Sequence, residues 1–339
     1  MFRPHYHISP RLLDYLKSIA VLVHELNKVQ VQEVQWMELW GEARAQSTHA
    51  STSIEGNPLA LTAVKALFKR QPQHIQQSEQ EVLNYNNALL DLQHASFSEE
   101  TVLSIHQTVM QGLLVKEKVG AYRQEPVFIH NPQTGTVLFL PPDHDQVQTM
   151  MTELYAFIEN HDDLDPIILA GLFHKQFVLV HPFIDGNGRT VRLASTLLLR
   201  DLGLDLFHLL SFENYYNYNI SRYFAMVGEQ GDFYDLNVDF TAWLEYFAEG
   251  ILYELQRLEQ RLSSYPQNTP QLKKHHRILL EYVAKHGSIN DKEYAALVDR
   301  AKATRALDFK FLVGVGVLER KAKGPSTYYV ASERKDLSS

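Results

Sequence analysis

The stretch HPFIDGNGRTVR, residues 181–192, combines a tight turn with residue types that bind phosphates and move protons. Gly186 and Gly188 allow the backbone to turn sharply and to approach a ligand without a Cβ atom in the way. Apolar residues then recur at helical spacing over 189–203, so a helix is predicted to follow the glycines. A glycine-rich loop that leads into a helix exposes unpaired N–H groups at the positive end of the helix dipole. The stretch therefore predicts an anion site, with phosphate as the usual anion.

Four side chains of this stretch fit the same chemistry. Arg189 and Arg192 are three residues apart, so they point to one side of the predicted helix and can bind phosphate oxygens. Asp185 offers an oxygen ligand for Mg²⁺, which typically binds through one carboxylate and substrate phosphates. His181 is of the residue type that accepts a proton near neutral pH. A phosphate site, a metal ligand and a base together predict phosphoryl or nucleotidyl transfer to a hydroxyl group.

Helices on both sides are expected to position this stretch. Residues 168–180 are apolar enough for a buried helix, and Pro182 disfavours helix at His181, where that helix is predicted to end. Helical patterns also dominate the rest of the first 262 residues. The exception is PVFIHNPQTGTVLFLPP, residues 126–142, in which two β-branched or aromatic runs flank turn formers and predict a hairpin.

The C-terminal segment is organised differently. SSYPQNTPQ, residues 263–271, is poor in apolar residues and has two prolines, so it is predicted to be a linker. Three short helical patterns and a strand pair follow, and they predict a winged helix-turn-helix over 272–339. From Pro270 onward there are 14 Lys and Arg against 8 Asp and Glu, whereas the whole chain has a net charge of −8. A polyanionic partner is therefore a candidate for this end of the chain.

The basic residues of this segment could contact DNA phosphates, in which case binding would depend on salt. Many winged helices contact proteins instead, so DNA and protein both remain open as the partner. The candidate phosphate contacts are Arg300, Lys302, Arg305 and Lys310 near the predicted recognition helix, and Arg320, Lys321 and Lys323 in the wing.

The composition is that of an ordinary globular protein. The chain has 339 residues, 45% of them hydrophobic and 21% charged, which is enough for two or three domains with buried cores. It has no cysteine, which excludes disulfides, thiolate metal sites and a cysteine nucleophile. The first residues do not resemble a signal peptide, and no apolar stretch approaches the ~18 residues of a membrane helix. A cytoplasmic protein without membrane contact is therefore expected.

Residues 181–192 resemble the signature of the Fic family, H-P-F-x-[D/E]-G-N-G-R-x-x-R, and every specified position is present. Fic proteins are helical enzymes that mostly transfer AMP from ATP to a hydroxyl side chain of a target protein. The resemblance implies that His181 deprotonates the target hydroxyl, that Phe183 is a packing anchor and that Asp185 binds Mg²⁺. It also implies phosphate contacts for Gly186, Asn187, Gly188, Arg189 and Arg192.

Two neighbouring segments fit the same family. Family members carry a β-hairpin flap after a G-x-Y-R segment, and here Gly120, Tyr122 and Arg123 precede the predicted hairpin. The flap is expected to align an extended target segment by main-chain pairing. Its candidate residues are Val127, Phe128 and Ile129. Downstream, NYYNYNISRYF resembles the helix that closes over the nucleotide base, although tyrosines at helical spacing are more often core residues. The candidate base contacts are Tyr215, Tyr216 and Tyr223.

STSIEGN, near the N-terminal end, resembles the family's inhibitory helix pattern [S/T]-x-x-x-E-[G/N] through Ser51, Glu55 and Gly56. On a short helix over residues 50–56, Glu55 is expected to pair with Arg192 and to take the place of the γ-phosphate. ATP would then bind in a pose unfit for transfer. In some relatives the same glutamate positions a water that removes AMP from the target, and the pattern leaves both roles open.

These observations combine into one expected architecture, a mainly α, Fic-type helical bundle with a β-hairpin flap and a C-terminal winged helix-turn-helix. The expected domains are an N-terminal helical region (1–95), a catalytic core (96–262), the linker (263–271) and the winged helix-turn-helix (272–339). The expected function is an autoinhibited protein adenylyltransferase that moves AMP from ATP–Mg²⁺ to a Tyr, Ser or Thr hydroxyl of a target protein or of itself.

Two alternative functions remain open. One is an enzyme that mainly removes AMP from modified proteins and needs Glu55 for it. The other is a DNA-binding regulator that only senses the nucleotide, although such a protein would not need the base His181. The sequence does not identify the target, the preferred nucleotide or the oligomeric state, for which a homodimer is plausible in this family.

Overall fold

The computed structural model describes residues 2–31, 33–69, 72–130, 134–161, 163–204, 207–264, 272–322 and 324–332. The α-helices in these ranges are α1 (Pro10–Leu26), α2 (Glu33–Ile54), α3 (Leu61–Lys69), α4 (Gln77–Asp91), α5 (Glu99–Val109), α6 (Val147–Glu159), α7 (Pro166–Val180), α8 (Asn187–Leu199), α9 (Phe212–Tyr218), α10 (Ile220–Val227), α11 (Thr241–Ser263), α12 (Lys274–His286), α13 (Asp291–Leu297) and α14 (Lys302–Gly314). The strands are β1 (Ile129–His130), β2 (Val137–Leu140), β3 (Gly231–Asp232), β4 (Leu318–Lys321) and β5 (Tyr328–Ala331). The predicted mainly α fold is confirmed. Within these ranges no helix has the length and hydropathy of a membrane-spanning segment.

Local chemistry sets the ends of α7, the helix that precedes residues 181–188, here called the motif loop. Asp165 accepts a hydrogen bond from a first-turn N–H at 2.8 Å. Pro166 occupies the first helical position, where its missing N–H costs no helical bond. At the other end His181 adopts a left-handed conformation with a φ of 50°. Since Pro182 follows, helix at His181 is disfavoured, as predicted from the sequence.

The core of the helical body, the part of the chain that contains α1–α11, is built around α7, which is buried on nearly every side. It packs against α8 and against α11. Gly171 allows the close approach to α11, because a Cβ atom there would lie 2.6 Å from Leu244 Cδ2. The indole of Trp243 donates to the Gly171 carbonyl at 2.7 Å. The helices on either side of the motif loop are thus held by a tightly packed core.

The hairpin consists of the antiparallel strands β1 and β2, with Ile129 opposite Phe139. Val127 and Phe128 precede β1, so the first strand is shorter than predicted. At its other edge β2 pairs in parallel with β3, which was not predicted because two residues carry no periodic signal. β1 is therefore one of the two outer strands of this sheet. Residues 131–133, in the predicted turn, lie outside the described residues.

α2 differs from the short helix predicted over residues 50–56. It covers Glu33–Ile54, and Glu55 and Gly56 lie in the turn that follows. Its polar stretch STHAST stays helical because these small side chains pack closely, and the Thr52 hydroxyl donates to the carbonyl one turn earlier at 2.8 Å. Gly56 has a φ of 89°, a conformation that commonly ends helices.

The C-terminal unit, α12–α14 with β4 and β5, has a core of its own. The buried side chains in this core include Leu279, Tyr294, Phe309 and Leu312. Three helices and an antiparallel strand pair follow in the order that the sequence predicts. Residues 265–271, most of the predicted linker, lie outside the described residues. The winged-helix assignment and the domain boundaries stay predictions.

Asp308 on α14 is the polar centre of the C-terminal unit and is buried. Tyr294 OH donates to its Oδ2 at 3.0 Å, and Arg300 donates to the two carboxylate oxygens at 2.9 and 3.1 Å. The Nε2 atoms of His275 and His276 lie 3.2 and 3.3 Å from Oδ1. Because these groups come from different elements, the carboxylate holds the unit together.

Two of the predicted phosphate contacts have structural partners instead. The guanidinium of Arg300 pairs with the carboxylate of Asp308. The guanidinium of Arg305 donates to the two carboxylate oxygens of Asp291 at 2.8 and 2.9 Å. The expectation that these two arginines contact phosphates is therefore corrected, because their donors are used inside the unit. Lys323 lies outside the described residues. Exposed positions are found for Lys302, Lys310 and Arg320.

Replacing Asp308 by alanine should destabilise the C-terminal unit by about 3 kcal/mol, because the partly buried Arg300 loses its carboxylate. Hydrogen exchange of the α12–α14 amides measures the free energy of opening of this unit separately from the rest of the chain. Asp299→Ala, at an exposed position, is the matched control. Equal protection in the two variants would contradict the role assigned to Asp308.

Candidate active site

The motif loop is fixed by Asn187, the first residue of α8. Its Oδ1 accepts from the Phe183 N–H at 2.9 Å, and its Nδ2 donates to the Phe183 carbonyl at 2.8 Å. The side-chain amide of Asn187 is thus used within the loop. The phosphate contact expected for Asn187 would therefore have to use its backbone N–H. Gly186 has a φ of 79°, and a Cβ atom there would lie 2.5 Å from Met110 Sδ. Glycine is therefore required where the loop turns into α8.

Phe183 packs the motif loop onto α5 through His106, a residue that was not predicted from the sequence. The two rings stack with centroids 3.7 Å apart. His106 Nδ1 accepts from the Gly120 N–H at 2.9 Å, so Nε2 carries the hydrogen and donates to the Asp185 carbonyl at 3.0 Å. Burial lowers the pKa of His106 to about 4, in agreement with a neutral ring. His106 therefore joins the G-x-Y-R segment to the loop.

Arg123, in the segment before the hairpin, is buried and binds backbone carbonyl groups. Its Nε donates to the His181 carbonyl at 2.8 Å, and its Nη2 donates to the carbonyls of Pro142 and Val180. Its backbone N–H donates to the Pro182 carbonyl at 2.9 Å. One arginine thus ties the end of α7, the motif loop and the end of the hairpin together.

His181 is a neutral proton acceptor. Its Nδ1 lies 3.3 Å from the Val178 carbonyl, and since a carbonyl only accepts, Nδ1 carries the hydrogen and Nε2 keeps its lone pair. Burial lowers the pKa of His181 to about 4, and the positive charge of Arg123 acts in the same direction. The residue keeps partial access to solvent. Its ring can therefore accept a proton from a group that approaches from outside.

Arg192 on α8 is buried and connects the motif to α2. Its Nε donates to Ser51 Oγ at 2.7 Å, and its Nη2 donates to the Ser51 carbonyl at 3.0 Å. Nη2 also donates to Glu55 Oε1 at 2.7 Å, so the expected contact between Glu55 and Arg192 is present. The Glu55 carboxylate lies against Gly188, where a Cβ atom would overlap with Oε1. The carboxylate thus occupies the space beside the first turn of α8.

Two guanidinium donors near the start of α8 lack an acceptor. Arg189 Nε and Arg192 Nη1 are buried and have no hydrogen-bond partner among the described residues. Unpaired buried donors are costly, so they favour an anionic ligand. Asp185 is exposed and lies 3.5 Å from Arg189 Nη2. An exposed carboxylate beside an anion site suits Mg²⁺ held between Asp185 and substrate phosphates. The residues present therefore fit ATP–Mg²⁺.

A second buried carboxylate, that of Glu213 on α9, supports α2 from another side. Tyr85 OH donates to its Oε1 at 2.8 Å, and Ser47 Oγ donates to its Oε2 at 2.9 Å. Burial raises the pKa of Glu213, and the two hydroxyl donors act against that rise. This network joins α2, α4 and α9. Residue spacing gives no signal for this network, because the partners lie 128 and 166 residues from Glu213 in the sequence.

The three candidate tyrosines occupy two environments. Tyr216 and Tyr223 are buried, and their rings stack with centroids 4.7 Å apart. Tyr223 OH lies 3.0 Å from His174 Nε2, and its ring lies under the Arg192 guanidinium at 6.0 Å. Both rings therefore pack in the core. Tyr215 is half-buried, and contact of any of the three with a nucleotide base stays a prediction.

The chain is similar in sequence to known proteins. Protein adenylyltransferase Fic of Nematostella vectensis is 29% identical over 173 residues, 48% of this chain and 39% of that protein. Protein adenylyltransferase fic-1 of Caenorhabditis elegans is 26% identical over 200 residues, 56% of this chain and 38% of that protein. The chain thus spans about two fifths of the length of these curated relatives.

Solved structures show the same fold. The crystal structure of a Fic family protein from Desulfovibrio desulfuricans has a TM-score of 0.66 at 22% identity, and the match covers 99% of this chain and 100% of that chain. A Fic-1 structure from C. elegans has a TM-score of 0.58 at 22% identity and covers 74% of this chain and 73% of that chain. Residues 96–199 match the Fic/DOC family model, so the resemblance seen in the motif is confirmed and the chain carries a Fic domain.

Proposed function

We propose that this protein transfers AMP from ATP–Mg²⁺ to a hydroxyl side chain of a target protein or of itself. The proposal rests on one arrangement. A neutral His181 begins the motif loop, and Arg189 and Arg192 near the start of α8 have buried donors for which no described residue is an acceptor. The names of the curated relatives, protein adenylyltransferases, support the same activity.

Residues of the motif loop and of the start of α8 have separate tasks in this reaction. ATP–Mg²⁺ supplies the α-phosphate that the hydroxyl attacks and the pyrophosphate that leaves. His181 Nε2 takes the proton of the attacking hydroxyl and later releases it to solvent. Arg189, Arg192 and the N–H groups at the start of α8 donate to phosphate oxygens, and Asp185 is the residue that would hold Mg²⁺.

The target is proposed to bind along the outer strand β1. An extended segment can pair with the open edge of a sheet, and Arg123 ties the hairpin to the carbonyl of His181. Phe128, directly before β1, is 53% exposed and offers an apolar contact. Main-chain pairing places a target side chain without requiring a particular sequence around it.

Replacing His181 by alanine should reduce AMP transfer by about 10²–10⁴-fold, because the attacking hydroxyl loses its base. Binding of ATP should change little, because the phosphate donors remain. Incorporation of label from α-labelled ATP into protein measures transfer, and calorimetry measures binding. His24→Ala, at an exposed position at the end of α1, is the matched control. Equal labelling by the two variants would refute the role of His181.

The rate should depend on pH in a way set by the lowered pKa of His181, about 4. The neutral base form predominates above that pKa, so transfer should stay nearly constant from about pH 8 to pH 6, whereas an ordinary histidine would lose activity near pH 6.5. Below about pH 5 the rate should begin to fall as the ring is protonated. The pH profile of kcat/KM tests this, and an acid limb centred near pH 6.5 would contradict it.

Glu55 restrains the reaction in this proposal. Its carboxylate binds Arg192, which phosphate would otherwise use, and it lies against Gly188, where the backbone is most open to a ligand. A negative charge at this place repels a phosphate group. ATP is therefore expected to bind in a pose unfit for transfer while the pair of Glu55 and Arg192 persists.

Replacing Glu55 by glycine should raise AMP transfer by about 5–150-fold, the range of a typical coupling free energy between two sites. Labelling of the protein itself and of candidate targets measures the change. Glu117→Gly is the matched control, since Glu117 is exposed and lies in the short 3₁₀ helix Lys116–Lys118. Unchanged labelling would contradict the proposal that Glu55 inhibits AMP transfer. Loss of AMP release from modified protein would instead assign Glu55 to AMP removal.

A further inference from the structure

A cavity of about 580 Å³ lies between the helical body and the C-terminal unit, and we call it the seam cavity. Its walls come from α2, α3, α11, α12 and the ends of β4 and β5. None of the motif-loop residues 181–188 lines it, so it is separate from the candidate active site. Its volume is that of a small-molecule site.

Arg44, on α2, lines the seam cavity, and its environment is unusual for a charged side chain. It is 6% exposed, and no carboxylate among the described residues pairs with it. Its Nη1 donates to the Ala284 carbonyl at 2.9 Å, whereas its Nε is buried and has no acceptor. The guanidinium lies 4.9 Å from the Trp40 ring and 5.1 Å from the Phe68 ring. Burial lowers the pKa of Arg44 to about 10.

A buried charge of this kind is costly unless an opposite charge compensates it. Water in the cavity could satisfy the hydrogen bond of Nε, but it would leave the charge uncompensated. An anion would do both, and guanidinium groups favour phosphate and carboxylate oxygens. The seam cavity is where such an anion could reach Arg44.

Most of the other charged residues in the lining are also cationic. The cationic residues are Lys65, Lys69, Arg257 and Arg261, and the acidic residues are Glu38 and Glu42. Lys65 pairs with Glu42 at 2.6 Å, and Arg257 pairs with Glu254 at 2.9 Å. Together with Arg44, five cationic side chains and two carboxylates therefore line the cavity. Trp40, Phe68 and Val283 add an apolar portion to the lining.

We propose that the seam cavity binds a phosphate-bearing small molecule of nucleotide size, whose anionic group compensates Arg44 and whose apolar portion contacts the aromatic wall. The ligand enters between the helical body and the C-terminal unit and contacts both. This site is additional to the one that binds the substrate of the proposed transfer.

The chain has three tryptophans, which allow this site to be observed by itself. Trp40 lines the cavity, Trp36 stacks on Trp40 at 5.6 Å, and Trp243 lies in the core of the helical body. The full chain labelled with 5-fluorotryptophan should give one ¹⁹F signal for each, assigned by single Trp→Phe variants. Titration with AMP as the probe should shift the Trp40 signal saturably. Adenosine, which lacks the phosphate, should bind at least tenfold more weakly.

Two variants and one control test the proposal. Arg44→Gln removes the charge, and Gly41→Leu fills the cavity, since a Cβ atom at Gly41 meets nothing within 4 Å. Each should weaken the AMP-dependent shift of Trp40 at least tenfold. Gly314→Leu, at another helical glycine with open space and outside the cavity, should leave it unchanged.

Three outcomes would overturn the proposal. They are a Trp40 signal that does not respond to AMP, equal affinity for AMP and adenosine, and unchanged affinity in Gly41→Leu. A saturable shift of Trp243 without one of Trp40 would place the AMP in the helical body and would count against the seam cavity as well. Because Gly41→Leu keeps Arg44 in place, the test stands even if Arg44→Gln does not fold.

Discussion

The buried guanidinium of Arg192 needs acceptors, and much of the molecule is arranged to supply them. α2 provides the hydroxyl and carbonyl of Ser51, and the turn after it provides the carboxylate of Glu55, while one donor has no partner among the described residues. A charge buried this deeply cannot lose a partner without a replacement. In the proposed reaction, the carboxylate of Glu55 and a phosphate group of the ligand therefore compete for the guanidinium of Arg192. In this way Arg192 of α8 holds the C-terminal end of α2 in place.

The motif loop could be assigned from the sequence because its chemistry is local. The stretch of twelve residues contains His181, Asp185 and the two arginines. Its glycines indicate a tight turn, and Pro182 indicates the end of a helix. His106 could not be found in this way, because its partner Asp185 is 79 residues away and a histidine on an amphipathic helix has no distinctive signature. The supporting residues of a site depend on the tertiary fold, which residue spacing does not encode.

The fold was predictable where periodicity is strong and not where contacts override it. Most helices follow apolar spacing, but α2 continues through a Ser- and Thr-rich stretch because those small side chains pack closely against neighbouring helices. β3 forms only because two residues meet the edge of β2. In the C-terminal unit, charge counting suggested phosphate contacts for Arg300 and Arg305, whereas acidic partners within the unit occupy both. Net charge alone does not reveal which charges are already paired.

The continuity of α2 has a mechanical consequence. Arg44 bonds to α12 of the C-terminal unit, and Glu55 directly follows the last turn of the same helix. Ten residues of helix separate Arg44 from Ile54, the last residue of α2, by about 15 Å. If α2 moves as a rigid rod, a tilt of about 5° around Arg44 displaces its far end by about 1.3 Å. Added to a separation of 2.7 Å, such a displacement exceeds hydrogen-bonding range. Under that condition a small tilt of α2 relative to α8 would be enough to break the ion pair between Glu55 and Arg192.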